Sequence, residues 1–116
     1  MATGTFKHYP ISSGTPTIVT GSHASVASGW GYVSWAKWGQ VVIVTFYGLQ
    51  FSQTIGSTPV DTLKLPYKAK GSQSQPGSYS IGFLAYIGDG LDVVRFSNVG
   101  TANKTLFGQL IYITDD

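Results

Sequence analysis

The chain has 116 residues, a length typical of one domain that buries about two-thirds of its unfolded surface. It has no cysteine, which excludes a disulfide framework and thiolate metal sites. Charged residues make up 10% of the chain and the net charge is +2, too sparse for a nucleic-acid-binding surface. No apolar run approaches the roughly 18 residues of a membrane span, and the residues after Met1 do not resemble a signal peptide, so neither is expected.

The composition predicts short strands joined by tight turns. The chain contains 15 glycines and 5 prolines, serine and threonine are abundant, and strong helix formers are scarce. Residues 1–28 are expected to be an N-terminal segment of short strands and linker, with candidate strands at 5–9 and 17–20 and a loop at 21–29. Residues 29–116 are expected to form the main body of the same single domain.

The clearest strand signals begin after Gly31. Residues 32–38 and 41–47 are predicted to form a hairpin around Gly39 and Gln40, with Gly48 ending the second strand. That second strand, VVIVTFY, is apolar on both faces. One face is therefore expected to meet the core, and the other a second sheet, a covering loop or another subunit.

Four further strands are predicted at residues 60–65, 79–87, 91–97 and 105–114. Residues 48–58 are expected to form a loop with at most a short strand near Gln50 and Phe51, and residues 67–78 a turn-rich segment. The sequence Gly88-Asp89-Gly90 predicts a tight turn between two of them. Because side chains alternate along a strand, four apolar residues of the strand at 79–87 are expected to lie on one face, namely Ile81, Phe83, Ala85 and Ile87. Six or more strands connected in this way predict an all-β fold, an antiparallel β-sandwich or barrel.

Catalytic and metal-binding patterns are sparse. Asp89 and Asp92 are a nearby carboxylate pair of the kind that glycoside hydrolysis uses, but a turn already explains Asp89. His8 and His23 lie in different segments, and no motif for a metal, a phosphate or a catalytic nucleophile is present. The chain is therefore expected not to be an enzyme and to need no cofactor or metal.

Aromatic residues are concentrated before the hairpin turn, where Trp30, Tyr32, Trp35 and Trp38 fall within nine residues. Alternation places Tyr32 and Trp38 on one face of the strand and Trp35 on the other. In one interpretation Trp35 packs inside and the others lie at an edge or interface. In the other, exposed aromatic rings stack on the apolar face of a sugar ring.

Polar side chains would complete such a sugar site. Aspartates accept hydrogen bonds from hydroxyl groups, and the only arginine suits a phosphate or carboxylate, or alternatively an ion pair across a subunit contact. The predicted ligand-binding residues are Trp30, Tyr32, Trp38, Asp89, Asp92 and Arg95.

Four segments carry a resemblance to a known family: GYVSWAKWGQVVIVTFYGL, LKLPYKAKG, IGFLAYIGDGLDVVRFSN and GQLIYITDD. Their order resembles the C-terminal head domains of receptor-binding proteins, the tail-tip or baseplate adhesins of phages that infect Gram-positive bacteria. The resemblance covers about residues 31–116. Residues 1–28 depart from it, because they do not look like the helical or triple-stranded neck expected before such a head.

The resemblance implies a non-catalytic β-barrel or sandwich that assembles as a homotrimer in the virion and binds a host cell-wall saccharide. The expected partners are a cell-wall polysaccharide or teichoic acid, further copies of the chain, and other phage tail or baseplate proteins, with no nucleic acid and no membrane insertion. Two alternatives stay open. The chain would be a carbohydrate-binding module of a larger tail protein or secreted enzyme, or a structural trimerising or docking domain of the tail without a ligand.

Overall fold

A computed structural model describes residues 11–76, 83–100 and 105–116. These residues form strands and no helix, so none of them belongs to a helix able to cross a membrane. The strands are β1 (Ile11–Gly14), β2 (Thr17–Ile18), β3 (Ala24–Val26), β4 (Tyr32–Trp38), β5 (Val41–Phe51), β6 (Val60–Lys64), β7 (Gln73–Pro76), β8 (Leu84–Ile87), β9 (Val93–Ser97) and β10 (Thr105–Ile113).

The strands belong to two antiparallel sheets. The first sheet has the order β1-β4-β5-β10, and β3 also pairs with β5. The second sheet has the order β2-β6-β9-β8-β7. The expectation of an all-β antiparallel fold is confirmed. Two separate sheets around one shared core favour the sandwich over the barrel among the predicted architectures.

The core lies between the inward faces of the two sheets. β5 and β10 of the first sheet and β8 and β9 of the second each present alternate apolar side chains to it. Aromatic rings link the layers, since the Phe46 ring lies 5.1 Å from that of Phe96 in an edge-on arrangement. The largest fully buried side chains of the core are Tyr112, Phe46, Phe51, Phe96, Leu49 and Leu63.

Most strand positions follow the sequence pattern. β4 spans the predicted residues, β6, β9 and β10 fall within the predicted ranges, and Phe83, Ala85 and Ile87 are buried on one face as expected. The predicted strand at 79–87 is described only from residue 83, so Ile81 lies outside the described residues. β7 lies where a turn-rich segment was predicted, because its polar residues give no periodic signal and only the pairing with β8 defines it.

The N-terminal segment contributes strands to both sheets. β1 pairs with β4, β2 with β6, and β3 with β5. The prediction of a loop at residues 21–29 is wrong for β3, in which Ala24 and Ser25 carry little strand propensity and which is fixed by pairing with the far end of β5. Residues 1–10, with the predicted strand at 5–9 and His8, lie outside the described residues.

A buried tyrosine ties β10 to the segment that follows β6. The Tyr112 hydroxyl donates a hydrogen bond to the backbone carbonyl of Tyr67 over 2.7 Å. Burial, and then the negative charges of Asp92 and Asp116, raise the pKa of Tyr112 above its usual value of about 10. The hydroxyl therefore remains a donor throughout the physiological pH range.

This tyrosine should make the fold sensitive to alkali. The folded protein holds the Tyr112 proton more tightly than the unfolded chain, so its contribution to stability is complete below about pH 10 and is lost as pH rises toward the raised folded pKa. We expect the unfolding free energy of the wild type, measured with urea, to fall more between pH 9 and 11.5 than that of Tyr112→Phe. Parallel declines in the two proteins would contradict this assignment.

Candidate functional site

The outer face of the first sheet carries large apolar side chains that no described residue covers. Pairing between β4, β5 and β10 arranges these side chains in rows, such as Tyr32, Tyr47 and Phe107 at one end. We divide the face into three zones. They are an aromatic platform (Trp30, Tyr32, Tyr47, Phe107), a polar band (Ser34, Thr45, Gln109) and an aliphatic patch (Ile11, Trp38, Val41, Ile43, Ile111, Ile113).

The aromatic platform is held together by its own ring contacts. The Tyr47 ring stacks on Tyr32 at 5.4 Å between centroids and meets Phe107 at 4.8 Å. Trp30 meets Tyr47 edge-on at 5.8 Å and stacks with Phe107 at 6.2 Å. Trp30, Tyr32 and Tyr47 nevertheless remain 51%, 50% and 44% exposed. The platform is thus a continuous, mutually braced aromatic surface open to solvent.

A glycine bulge in β5 positions Trp30 on this platform. Leu106 and Phe107 of β10 pair with Leu49 and Tyr47, so Gly48 is an extra residue in β5. Its φ is +74°, and a Cβ there would lie 2.8 Å from Cζ3 of Trp30. The prediction that Gly48 ends the strand is wrong, because the bulge absorbs the glycine and β5 continues, changing partner from β4 to β3.

The predicted arginine forms an ion pair within the second sheet. Arg95 of β9 lies opposite Asp61 of β6, and its Nε donates to Asp61 Oδ1 over 2.6 Å. Both side chains are well exposed, so the pair adds little stability. Tyr86 of β8 is the neighbour of Arg95 on the other side. The guanidinium is therefore already oriented by a carboxylate of the same chain.

The two predicted aspartates also have partners inside the chain. The Lys64 ammonium lies 2.9 Å from each carboxylate oxygen of Asp92. Asp89 Oδ1 accepts a hydrogen bond from the Gly71 backbone N–H over 2.7 Å, and the Asp89 N–H donates to the Ser72 hydroxyl. Asp89 thus joins two turns, as the turn interpretation of Gly88-Asp89-Gly90 indicated.

The six predicted residues are spread over the molecule. Trp30 and Tyr32 share the aromatic platform, whereas Trp38 is six residues from Tyr32 along β4, or about 20 Å. Asp89, Asp92 and Arg95 belong to the second sheet and its turns. These six residues are therefore too widely spread to form one compact site.

Sequence reasoning missed Tyr47 and Phe107. The two-residue turn at Gly39 and Gln40 pairs residue 38 with 41, and hence Tyr32 with Tyr47. The contact between Tyr47 and Tyr32 could therefore have been predicted from the hairpin register. Phe107 depends on the long-range pairing of β10 with β5 and on the bulge at Gly48, which no local pattern shows.

The arrangement is suited to binding. Three or more histidine, cysteine or acidic side chains close enough to hold a metal ion occur nowhere among the described residues. The exposed groups that converge are aromatic rings, which offer flat apolar contact with hydroxyl and amide dipoles nearby. Comparison of the chain with protein-family models and with curated proteins gives no match.

The close approach of Gly48 to Trp30 predicts a costly substitution. Gly48→Ala forces a side chain into a positive φ and against the indole, so we expect a loss of about 1–3 kcal/mol in unfolding free energy. The matched control is Gly56→Ala, where a Cβ meets nothing within 4 Å, with an expected change under about 1 kcal/mol. Equal urea midpoints for the two variants would show that the bulge carries no strain.

Proposed function

We propose that this chain is a non-catalytic host-recognition domain, the head of a phage receptor-binding protein at the tail tip or baseplate. Its ligand is a cell-wall saccharide, a polysaccharide or teichoic acid, of a Gram-positive bacterium. The observation that carries the proposal is the aromatic platform, in which Trp30, Tyr32 and Tyr47 are exposed and are braced by contacts with one another and with the partly buried Phe107. The resemblance of residues 31–116 to such heads supplies the biological setting.

The platform has the chemistry that sugar rings require. The C–H face of a pyranose is apolar and packs on aromatic rings, while its hydroxyl groups need polar neighbours. Ser34, Thr45 and Gln109 of the adjoining polar band supply these, with Gln109 and Thr45 in side-chain contact at 3.4 Å. Because the rings brace one another, little side-chain entropy is lost on binding.

Assembly compensates for weak single sites. A millimolar sugar site contributes only about 4 kcal/mol, and several linked sites raise the effective affinity by orders of magnitude. The aliphatic patch supports assembly with further copies of the chain, since Ile11 is 69%, Trp38 60% and Ile111 49% exposed, and the resemblance implies three copies. The low charge of the chain also suits a protein that covers part of its surface with other copies.

The aliphatic patch also favours a second candidate function, a trimerising or docking domain of the tail without a ligand. Such a domain would use the outer face only for assembly with its own copies or with other tail proteins. A carbohydrate-binding module acting as a monomer fits this patch less well, because the patch would remain in water.

Removal of the platform should abolish cell-wall binding. We expect Trp30→Ala and Tyr32→Ala to reduce retention of the labelled, multivalently displayed domain on purified Gram-positive cell walls at least tenfold. The matched control is Tyr86→Ala on the second sheet, which should retain wild-type binding. Walls stripped of their polysaccharide should bind none of the proteins.

Two outcomes would overturn the proposal. Equal retention of all variants on the cell walls would show that the platform does not bind the saccharide. Absence of wild-type binding to the walls of every strain tested, despite a stable oligomer, would shift the assignment to the ligand-free docking domain.

The aliphatic patch should control assembly. We expect the wild type to have three times the chain mass of 12.4 kDa by light scattering, and Ile111→Lys to be monomeric because its charge enters an apolar contact. The matched control is Gln109→Lys, two residues earlier in the exposed polar band, which should remain trimeric. A wild type that stays at 12.4 kDa at all concentrations would contradict the proposed assembly.

A further inference from the structure

A groove opens between the two sheets beside β1 and β2, away from the aromatic platform. It has a volume of about 380 Å³, within the range of small-ligand pockets. Alternation along β4 turns Trp35 toward this groove and Tyr32 toward the outer face. The groove is lined by Gly14, Thr15, Thr17, Trp35, Lys64, Leu65 and Pro66.

Trp35 forms a fixed wall of this groove. Its indole lies directly on Gly14, where an added Cβ would come within 2.8 Å of Cζ2 and 2.9 Å of Nε1. The Tyr67 ring meets the indole edge-on at 5.3 Å, and the Tyr67 carbonyl is held by Tyr112. The indole is thus positioned from two sides before any ligand arrives.

The indole N–H of Trp35 has no acceptor among the residues that the structure describes. No atom in the described part of the chain accepts a hydrogen bond from it, and it is not among fully buried unpaired groups. Nε1 lies beside Gly14, which itself lines the groove. Since a largely buried tryptophan usually finds a partner for this group, the N–H is available to a ligand in the groove.

The rest of the lining combines hydroxyl groups, apolar side chains and one ion pair. Thr15 and Thr17 supply hydroxyl groups, and Leu65 and Pro66 supply apolar contact. Lys64 is paired with Asp92 through both carboxylate oxygens at 2.9 Å. Lys64 is the only charged side chain among the lining residues and its ammonium is already paired, so the groove favours an uncharged polar ligand over an anion.

We propose that this groove is a second binding site, which takes one uncharged sugar ring. The apolar side of the ring contacts Trp35, a ring oxygen accepts a hydrogen bond from the Trp35 Nε1–H, and ring hydroxyls contact Thr17 and the Lys64–Asp92 pair. The site shares its ligand class with the proposed function, but it uses no residue of the platform and stands without it.

The three tryptophans provide separate reporters for the test. Each indole N–H gives one cross-peak in a ¹H–¹⁵N spectrum, assigned with Trp30→Phe, Trp35→Phe and Trp38→Phe. The full chain is titrated with N-acetylglucosamine, glucose and glycerol 1-phosphate to about 100 mM, well above the millimolar dissociation constants of weak sites. We expect a saturable shift of the Trp35 signal with at least one neutral sugar and none with the phosphate.

A substitution separates ligand contact from general perturbation. Thr17→Val removes one hydroxyl at nearly constant volume and should weaken the Trp35 response at least threefold, whereas Thr58→Val at an exposed site outside the groove should leave it unchanged. No Trp35 shift with either neutral sugar, or a shift with the phosphate alone, would overturn the groove site. A saturable shift of Trp30 alone would overturn it while supporting the platform, so the two proposals fail separately.

Discussion

β5 has large side chains on both faces, and the rest of the structure accommodates this constraint. Its inward residues Val42, Val44 and Phe46 are almost completely buried and face the second sheet. Its outward residues cannot enter the same core, because alternate side chains of a strand point in opposite directions. They lie beside the outward side chains of β4 and β10 and, together with these, form the aromatic platform, the polar band and the aliphatic patch. One strand thus contributes both to the buried core and to the exposed apolar face of the first sheet.

The bulge at Gly48 connects these two roles. β5 continues beyond the bulge and pairs with β3 at the buried residues Leu49 and Phe51. The missing side chain at Gly48 also leaves the space that the Trp30 ring occupies. The polar residues of the second sheet serve mainly the fold, since Arg95, Asp92 and Asp89 each have a partner in the chain. A ligand would therefore interact with this surface mainly through aromatic contact and not through charge.

Local patterns in the sequence were sufficient for the central hairpin, the two-faced character of β5, the turn at Asp89 and the all-β antiparallel class. They were insufficient for β3 and β7, whose small or polar residues become strands only through pairing with distant partners. For the site, Trp30 and Tyr32 were visible as exposed aromatics, whereas Phe107 joins them through a pairing more than fifty residues apart in sequence. One interpretation of the sequence placed Trp35 inside the fold; the side chain is only partly buried against the core and also lines the groove.

The most direct test asks which face of the domain meets the cell wall. Hydroxyl-radical footprinting with mass spectrometry compares oxidation rates of the free domain with those of the domain bound to purified Gram-positive walls. Recognition through the first sheet predicts that Trp30, Tyr32 and Tyr47 are protected several-fold on intact walls and not on stripped walls, while Tyr86 on the second sheet keeps its free rate. Protection of Tyr86 with no change at the three platform residues would contradict it.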